Sequence, residues 1–199
     1  TVDRLHRESN ANIHRGVHFL SEEATEMYEA ARARIAEYIG AEAREEVVFT
    51  AGATASLNTV AYAWCERFLR AGDNIVVSEM EHHSNIVPWQ MLCERTGAVL
   101  KAVPLTPGQT LDMEAYRNML SPRTRIVAVG HVSNTLGTVN PVREMAALAK
   151  ENRQETIVLI DGAQAVSHMN VDVQELGCDL YAFSGHKLYA PTGIGALWG

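Results

Sequence analysis

The chain has 199 residues, 47% hydrophobic and 21% charged, the make-up of an ordinary globular protein with enough apolar residues for one good core. A formal net charge of −7 argues against nucleic acid as a general partner, and no apolar run approaches the ~18 residues of a membrane-spanning helix. Three cysteines without a Cys-x-x-Cys pair point to a reducing cytoplasm rather than a disulfide framework, and the polar first twenty residues do not read as a signal peptide.

No repeat, low-complexity tract or linker interrupts the chain, so a single domain over 1–199 is expected. Ser21, followed by Glu22 and Glu23, is placed as the cap of a first helix, with Tyr28, Ala31, Ile35 and Ile39 at helical spacing and Gly40 as its stop. A strand over 46–50 leads through Gly52-Ala53-Thr54 into a helix with Leu57, Val60, Ala61 and Trp64 turned inward. Then follow a strand over 74–78, a helix over 87–96, a strand over 99–104 and a helix capped by Asp112 and running to Leu120. A strand over 125–129, a helix from Pro141 to Lys150 and two apolar strands ending at Asp161 and near Ser184 complete the pattern. Strands that are continuous apolar runs, alternating with helices, predict a doubly wound, mostly parallel α/β sheet buried on both faces. Such sheets bind ligands at the carboxyl ends of their strands.

The polar motifs fall at those ends. Ile157-Val158-Leu159-Ile160-Asp161 and the run Ser184-Gly185-His186-Lys187 suit pyridoxal 5′-phosphate. In that reading Lys187 bonds the cofactor aldehyde, and the Asp161 carboxylate pairs with the pyridinium nitrogen so that the ring can accept electrons. Asp161 ends an apolar strand, where a carboxylate is costly to bury unpaired. The 187 − 161 = 26 residues between them leave room for one helical crossover and one strand. Gln164 can reach the ring oxygen, and Ser184 and His186 can donate to the phosphate. Gly52-Ala53-Thr54 reads either as a phosphate-binding helix start or as a simple helix cap after a turn. In Glu81-His82-His83-Ser84-Asn85 no ligand spacing suits a metal, so none is expected; His82 is assigned to stack on the ring and carry a proton beside it. Asn134 can hold the ring hydroxyl oxygen or a substrate carboxylate, or mark a turn. His14 and Arg15, in an irregular segment, are candidates for the substrate carboxylate.

Together the runs His14-Arg15-Gly16-Val17-His18, Glu81-His82-His83-Ser84-Asn85 with Pro88-Trp89, Ser133-Asn134-Thr135-Leu136-Gly137, Asp161-Gly162-Ala163-Gln164 and Ser184-Gly185-His186-Lys187 resemble the class-V aminotransferase family of fold-type-I pyridoxal-phosphate enzymes. The resemblance spans the chain and is nearest the SufS-type (group II) cysteine desulfurases and selenocysteine lyases. It implies that Lys187 and His82 are catalytic and that Thr54, His82, Asn134, Asp161, Gln164, Ser184, His186 and Lys187 hold the cofactor. It implies L-cysteine or L-selenocysteine as substrate, a sulfur-acceptor protein, and a homodimer. It also implies an incomplete large domain, with the smaller C-terminal domain and the catalytic cysteine beyond Gly199; the start on Thr1 and the stop after an apolar strand suggest the same. Cys65, Cys93 and Cys178 match no catalytic position. Selenocysteine lyase, kynureninase-like or aminotransferase chemistry, and a non-catalytic α/β domain, stand as alternatives.

Overall fold

The computed structural model describes residues 2–199. One seven-stranded sheet runs in the order β1 (Val47–Thr50), β7 (Gly195–Trp198), β6 (Leu180–Ser184), β5 (Ile157–Asp161), β4 (Thr124–Gly130), β2 (Asn74–Ser78), β3 (Val99–Val103). β7 is antiparallel to both neighbours; the pairings among β2 to β6 are all parallel. Since β1 and β6 both oppose β7, six strands share one sense, and Thr50, Ser78, Gly130, Asp161 and Ser184 end on the same edge of the sheet.

Alternation along the strands builds two cores. Val76, Val127, Val129, Val158, Ile160, Tyr181 and Phe183 face a layer that includes residues of α2 (Phe19–Ile39) and α6 (Val142–Asn152). Ile75, Val77, Ile126, Ala128, Leu159 and Ala182 face α3 (Ala53–Thr59) and α4 (Val87–Thr96). Both strand faces are buried, so the strands carry no polar alternation. The expected three-layer, mostly parallel α/β architecture is what the chain forms.

Local departures have physical causes. Ser21 is not the cap of α2. His18 is: its Nδ1 accepts the Ser21 amide, and the helix begins at Phe19. Ser21, buried in the first turn, donates to the Asn12 carbonyl and accepts from Gly16 N–H. Trp64 points to solvent rather than inward because α3 continues into a π-helical turn over Val60–Trp64. The wider turn shifts the helical phase, and Cys65 takes the buried place. Helix α1 (Val2–Glu8), fully exposed and bearing Arg4–Glu8 and Arg7–Asp3 pairs, has no apolar stripe and so no periodic signal. α5 (Met113–Met119) starts as expected, with Asp112 accepting the Ala115 amide. The crossover from β5 to β6 is mostly turns; its helix, α7 (Val173–Leu176), is held to four residues between the Asp172 cap and left-handed Gly177.

Gly162 follows the last residue of β5, and its N–H donates to the Ala182 carbonyl at 2.8 Å. A Cβ there would overlap the Tyr181 ring, which covers the glycine. Gly162→Ala should therefore destabilise the protein by about 1–3 kcal/mol, the usual cost of overpacking a rigid core. Urea denaturation checks this, and an unchanged midpoint contradicts it.

Candidate active site

The strand ends open onto a cavity of about 310 Å3. Thr54, His82, Asn134, Asp161, Gln164, Ser184, His186 and Lys187 all line it. They come from the ends of several strands and the turns and helix start that follow them. Asp161 ends β5, and Gln164 lies in the turn that follows it. Ser184 ends β6, and His186 and Lys187 occupy the 3-10 turn Gly185–Leu188, which closes on left-handed Tyr189. His82 and Asn134 stand in the loops after β2 and β4.

The far wall depends on close backbone approach. Gly195 lies between Thr50 and Ser184 in the sheet, and a Cβ on it would come within 2.5 Å of Gly52 Cα. Without that side chain, the loop before α3 closes over β7, and the Ala53 N–H donates to Ser184 Oγ at 2.8 Å. The helix start is thus not wholly free, because Ser184 takes its first amide. Among the described residues no protein acceptor takes the amides of Thr54 and Ala55. The Ser184 hydroxyl hydrogen is left to donate elsewhere.

Asp161 is 8% exposed. Its Oδ1 accepts the Ala163 N–H at 3.0 Å, and its second oxygen takes no donor among the described residues. Burial raises its pKa; the Ala163 amide and the nearby charges of His82 and Lys187 pull the other way without prevailing. The carboxylate thus lacks a full counter-charge, which a protonated heteroaromatic nitrogen in the cavity would supply. His82 Nδ1 accepts the Ser84 amide at 3.2 Å and lies 2.8 Å from Ser84 Oγ. The accepted amide leaves Nε2 to carry the ring proton. Asn134 sits at the tip of a turn closed by Gly137 N–H to the Ser133 carbonyl.

His14 and Arg15 do not line the cavity. His14, with φ 58°, packs edge-on against Tyr28 of α2 and pairs with Glu29 at 3.1 Å. The three cysteines also lie elsewhere; burial pushes the Cys65 and Cys178 thiols up to about 12 and Cys93 up to about 11. Among the described residues no group of three acidic, histidine or cysteine side chains is arranged to hold a metal, and no helix is long and apolar enough to cross a membrane.

Sequence reasoning gave no role to Glu81, which also lines the cavity. Its Oε1 accepts Ser78 Oγ and the Gly130 N–H, and its Oε2 accepts Asn85 Nδ2 at 2.7 Å. Burial nevertheless pushes it up to about 7, with a smaller push from Asp161. Its place in the loop after the apolar run 75–77 was the available signal, but Gly130 lies 49 residues away.

The sequence profile of the aminotransferase class-V family matches residues 1–199. The chain belongs to this family. It is 54% identical over 194 residues to a cysteine desulfurase of Salmonella typhimurium, covering 98% of this chain and 47% of the relative. Among solved structures, the apo cysteine desulfurase of Thermococcus onnurineus NA1 matches with a TM-score of 0.92 at 40% identity, over 98% of this chain and 48% of that one. A structure of SspA in complex with cysteine matches with a TM-score of 0.88 at 30% identity, over 98% and 55%. The chain spans about half the length of the relatives it matches.

Glu81 has a consequence for pH. Its pKa in the fold, about 7, stands above its ordinary 4.5, so the native state holds the proton more tightly than the unfolded chain. Its contribution to stability is full below about 4.5 and is lost as pH rises to about 7. The stability of the wild type relative to Glu81→Gln should therefore decline from pH 5 to pH 8. Urea midpoints at the two pH values test this, and an unchanged difference contradicts it.

Proposed function

We propose that this chain is the cofactor-binding part of a pyridoxal-phosphate-dependent cysteine desulfurase. In this reading it removes sulfur from L-cysteine, releases L-alanine and leaves the sulfur as an enzyme persulfide. The observation that carries the reading is the nearly buried, under-compensated Asp161 carboxylate sharing one cavity with the Lys187 amine. A protonated pyridine ring joined to a lysine answers both needs. The donor set fits the rest of the group: the free amide of Thr54 with the Ser184 hydroxyl and His186 suits a phosphate, and Gln164 suits a ring oxygen. The family match and the names of the relatives support the same choice.

When bound, the cofactor supplies an electron sink for negative charge developing at the substrate α-carbon. Asp161 holds a proton on the ring nitrogen by staying ionised beside it. His82, which lines the cavity, would cover one face of the ring and exclude water from it. Lys187, once its amine is free, removes the proton from the substrate Cα and returns it. Asn134, at the mouth, orients the substrate carboxylate. A thiolate attacking the sulfur of L-cysteine forms the S–S bond of a persulfide as the Cβ–S bond breaks; the electron pair stays with the carbon skeleton, Cβ takes the proton given up by the substrate thiol, and alanine leaves. The thiolate belongs to the part of the relatives' length that this chain does not span. L-selenocysteine is the alternative substrate; a sulfur-acceptor protein serving iron–sulfur cluster assembly, a homodimer and a cytoplasmic setting complete the proposal.

The complete protein tests the reading. Purified with pyridoxal phosphate, it should show the visible absorbance of the bound cofactor and form alanine from L-cysteine. Lys187→Ala should abolish both. Asp161→Ala should lower alanine formation on the order of 10²–10³-fold, the usual loss when a preorganised electrostatic partner is removed, with an unchanged circular dichroism spectrum. A colourless wild type, or undiminished turnover in Asp161→Ala, would falsify the assignment.

A further inference from the structure

The hydrogen bonds around Glu81 have a direction that can be read from one end. The Trp89 indole is a donor only, and its Nε1 donates to Asn85 Oδ1 at 3.0 Å. Both residues are fully buried. The Asn85 oxygen must therefore face the indole, and its Nδ2 must face Glu81, which it reaches at 2.7 Å. On the other side the Gly130 backbone donates to Glu81 Oε1 at 3.0 Å, and a backbone N–H cannot reverse its role. Ser78 Oγ bonds the same oxygen. Glu81 is thus met by fixed donors on both oxygens.

These donors sit on three elements. Ser78 ends β2, Gly130 ends β4 and is the register partner of Asp161, and Asn85 belongs to the loop that carries His82. Resting on the proposed cofactor site, we infer that Glu81 is a positioning residue. Its carboxylate, accepting from a donor chain polarised by Trp89, fixes the height of the His82 loop relative to Asp161.

The inference makes an isosteric substitution behave in an unusual way. An amide at position 81 must turn its NH2 towards either Asn85 Nδ2 or Gly130 N–H, and either meeting sets donor against donor. Converting Asn85 to a carboxylate of the same shape restores the match. That carboxylate accepts both the indole and the new amide, while the position-81 carbonyl keeps Ser78 and Gly130. Relief from burying a charge at position 81 cannot imitate this rescue, since the double variant keeps one buried carboxylate in the cluster.

The test uses the complete protein at pH 8, where Glu81 is mostly ionised, in four forms: wild type, Glu81→Gln, Asn85→Asp and the double variant. Urea stability without cofactor, the dissociation constant for pyridoxal phosphate and alanine formation are measured for each. Each single substitution should weaken cofactor binding about ten- to a hundredfold, the range expected for one mismatched buried hydrogen-bonding group, and should lower the urea midpoint. The double variant should return to within about threefold of wild type in binding and recover the midpoint. Trp89→Phe gives a second check. With the indole donor gone Asn85 can rotate, so Glu81→Gln should cost less than about threefold in that background. Equal effects of Glu81→Gln whatever stands at 85 or 89 overturn the inference. A wild type that binds no pyridoxal phosphate would instead overturn the proposed function, and the coupling in urea stability would still decide the role of Glu81.

Discussion

A carboxylate at the end of a buried strand, with one amide donor and no full counter-charge, is the constraint around which this site is organised. Left alone, Asp161 is expensive to keep ionised, because burial removes water and the protein returns little in exchange. The neighbouring strand end places Lys187 on the same cavity, and the loop after β2 brings His82. The protein thus holds a negative site that becomes comfortable only when a cation of the right shape enters. That is a description of binding preorganisation as much as of instability.

The sheet makes this arrangement possible. Six strands of one sense bring their carboxyl ends to one edge, so residues far apart in the chain meet without long loops. The one antiparallel strand, β7, inserts Gly195 between Thr50 and Ser184, and its missing side chain lets the α3 loop close onto the Ser184 hydroxyl. On the opposite side the Glu81 cluster ties β2 to β4. The two walls of the cavity are therefore set by different means: backbone proximity at one, a polarised side-chain relay at the other.

What the sequence reveals, and what it hides, follows from the range of the interactions. Strand runs such as 157–161 and 180–184 are legible because both faces are buried, which suppresses polar residues until the strand ends. The eight cavity residues expected from sequence stand out for a related reason, as polar groups in the segments that follow apolar runs. His14 and Arg15 looked alike in chemistry, but they lie before the first long helix, and the packing of His14 on Tyr28 and Glu29 left no trace in local pattern. Trp64 was misread because a single π-helical turn changes the phase of everything after it. Ser21 was misread because a histidine can cap a helix through its ring nitrogen. The contact between Ala53 and Ser184 spans 131 residues, beyond the reach of any local pattern.

The state of the cofactor nitrogen tests the central electrostatic relation most directly. Nuclear magnetic resonance of the complete protein, loaded with pyridoxal phosphate labelled with nitrogen-15 in the ring, reports whether that atom carries a proton. The shift should be that of a protonated pyridine in the wild type at pH 8 and of a neutral one in Asp161→Ala. An identical shift in the two proteins would contradict the pairing, and with it the reason for burying an acid at residue 161.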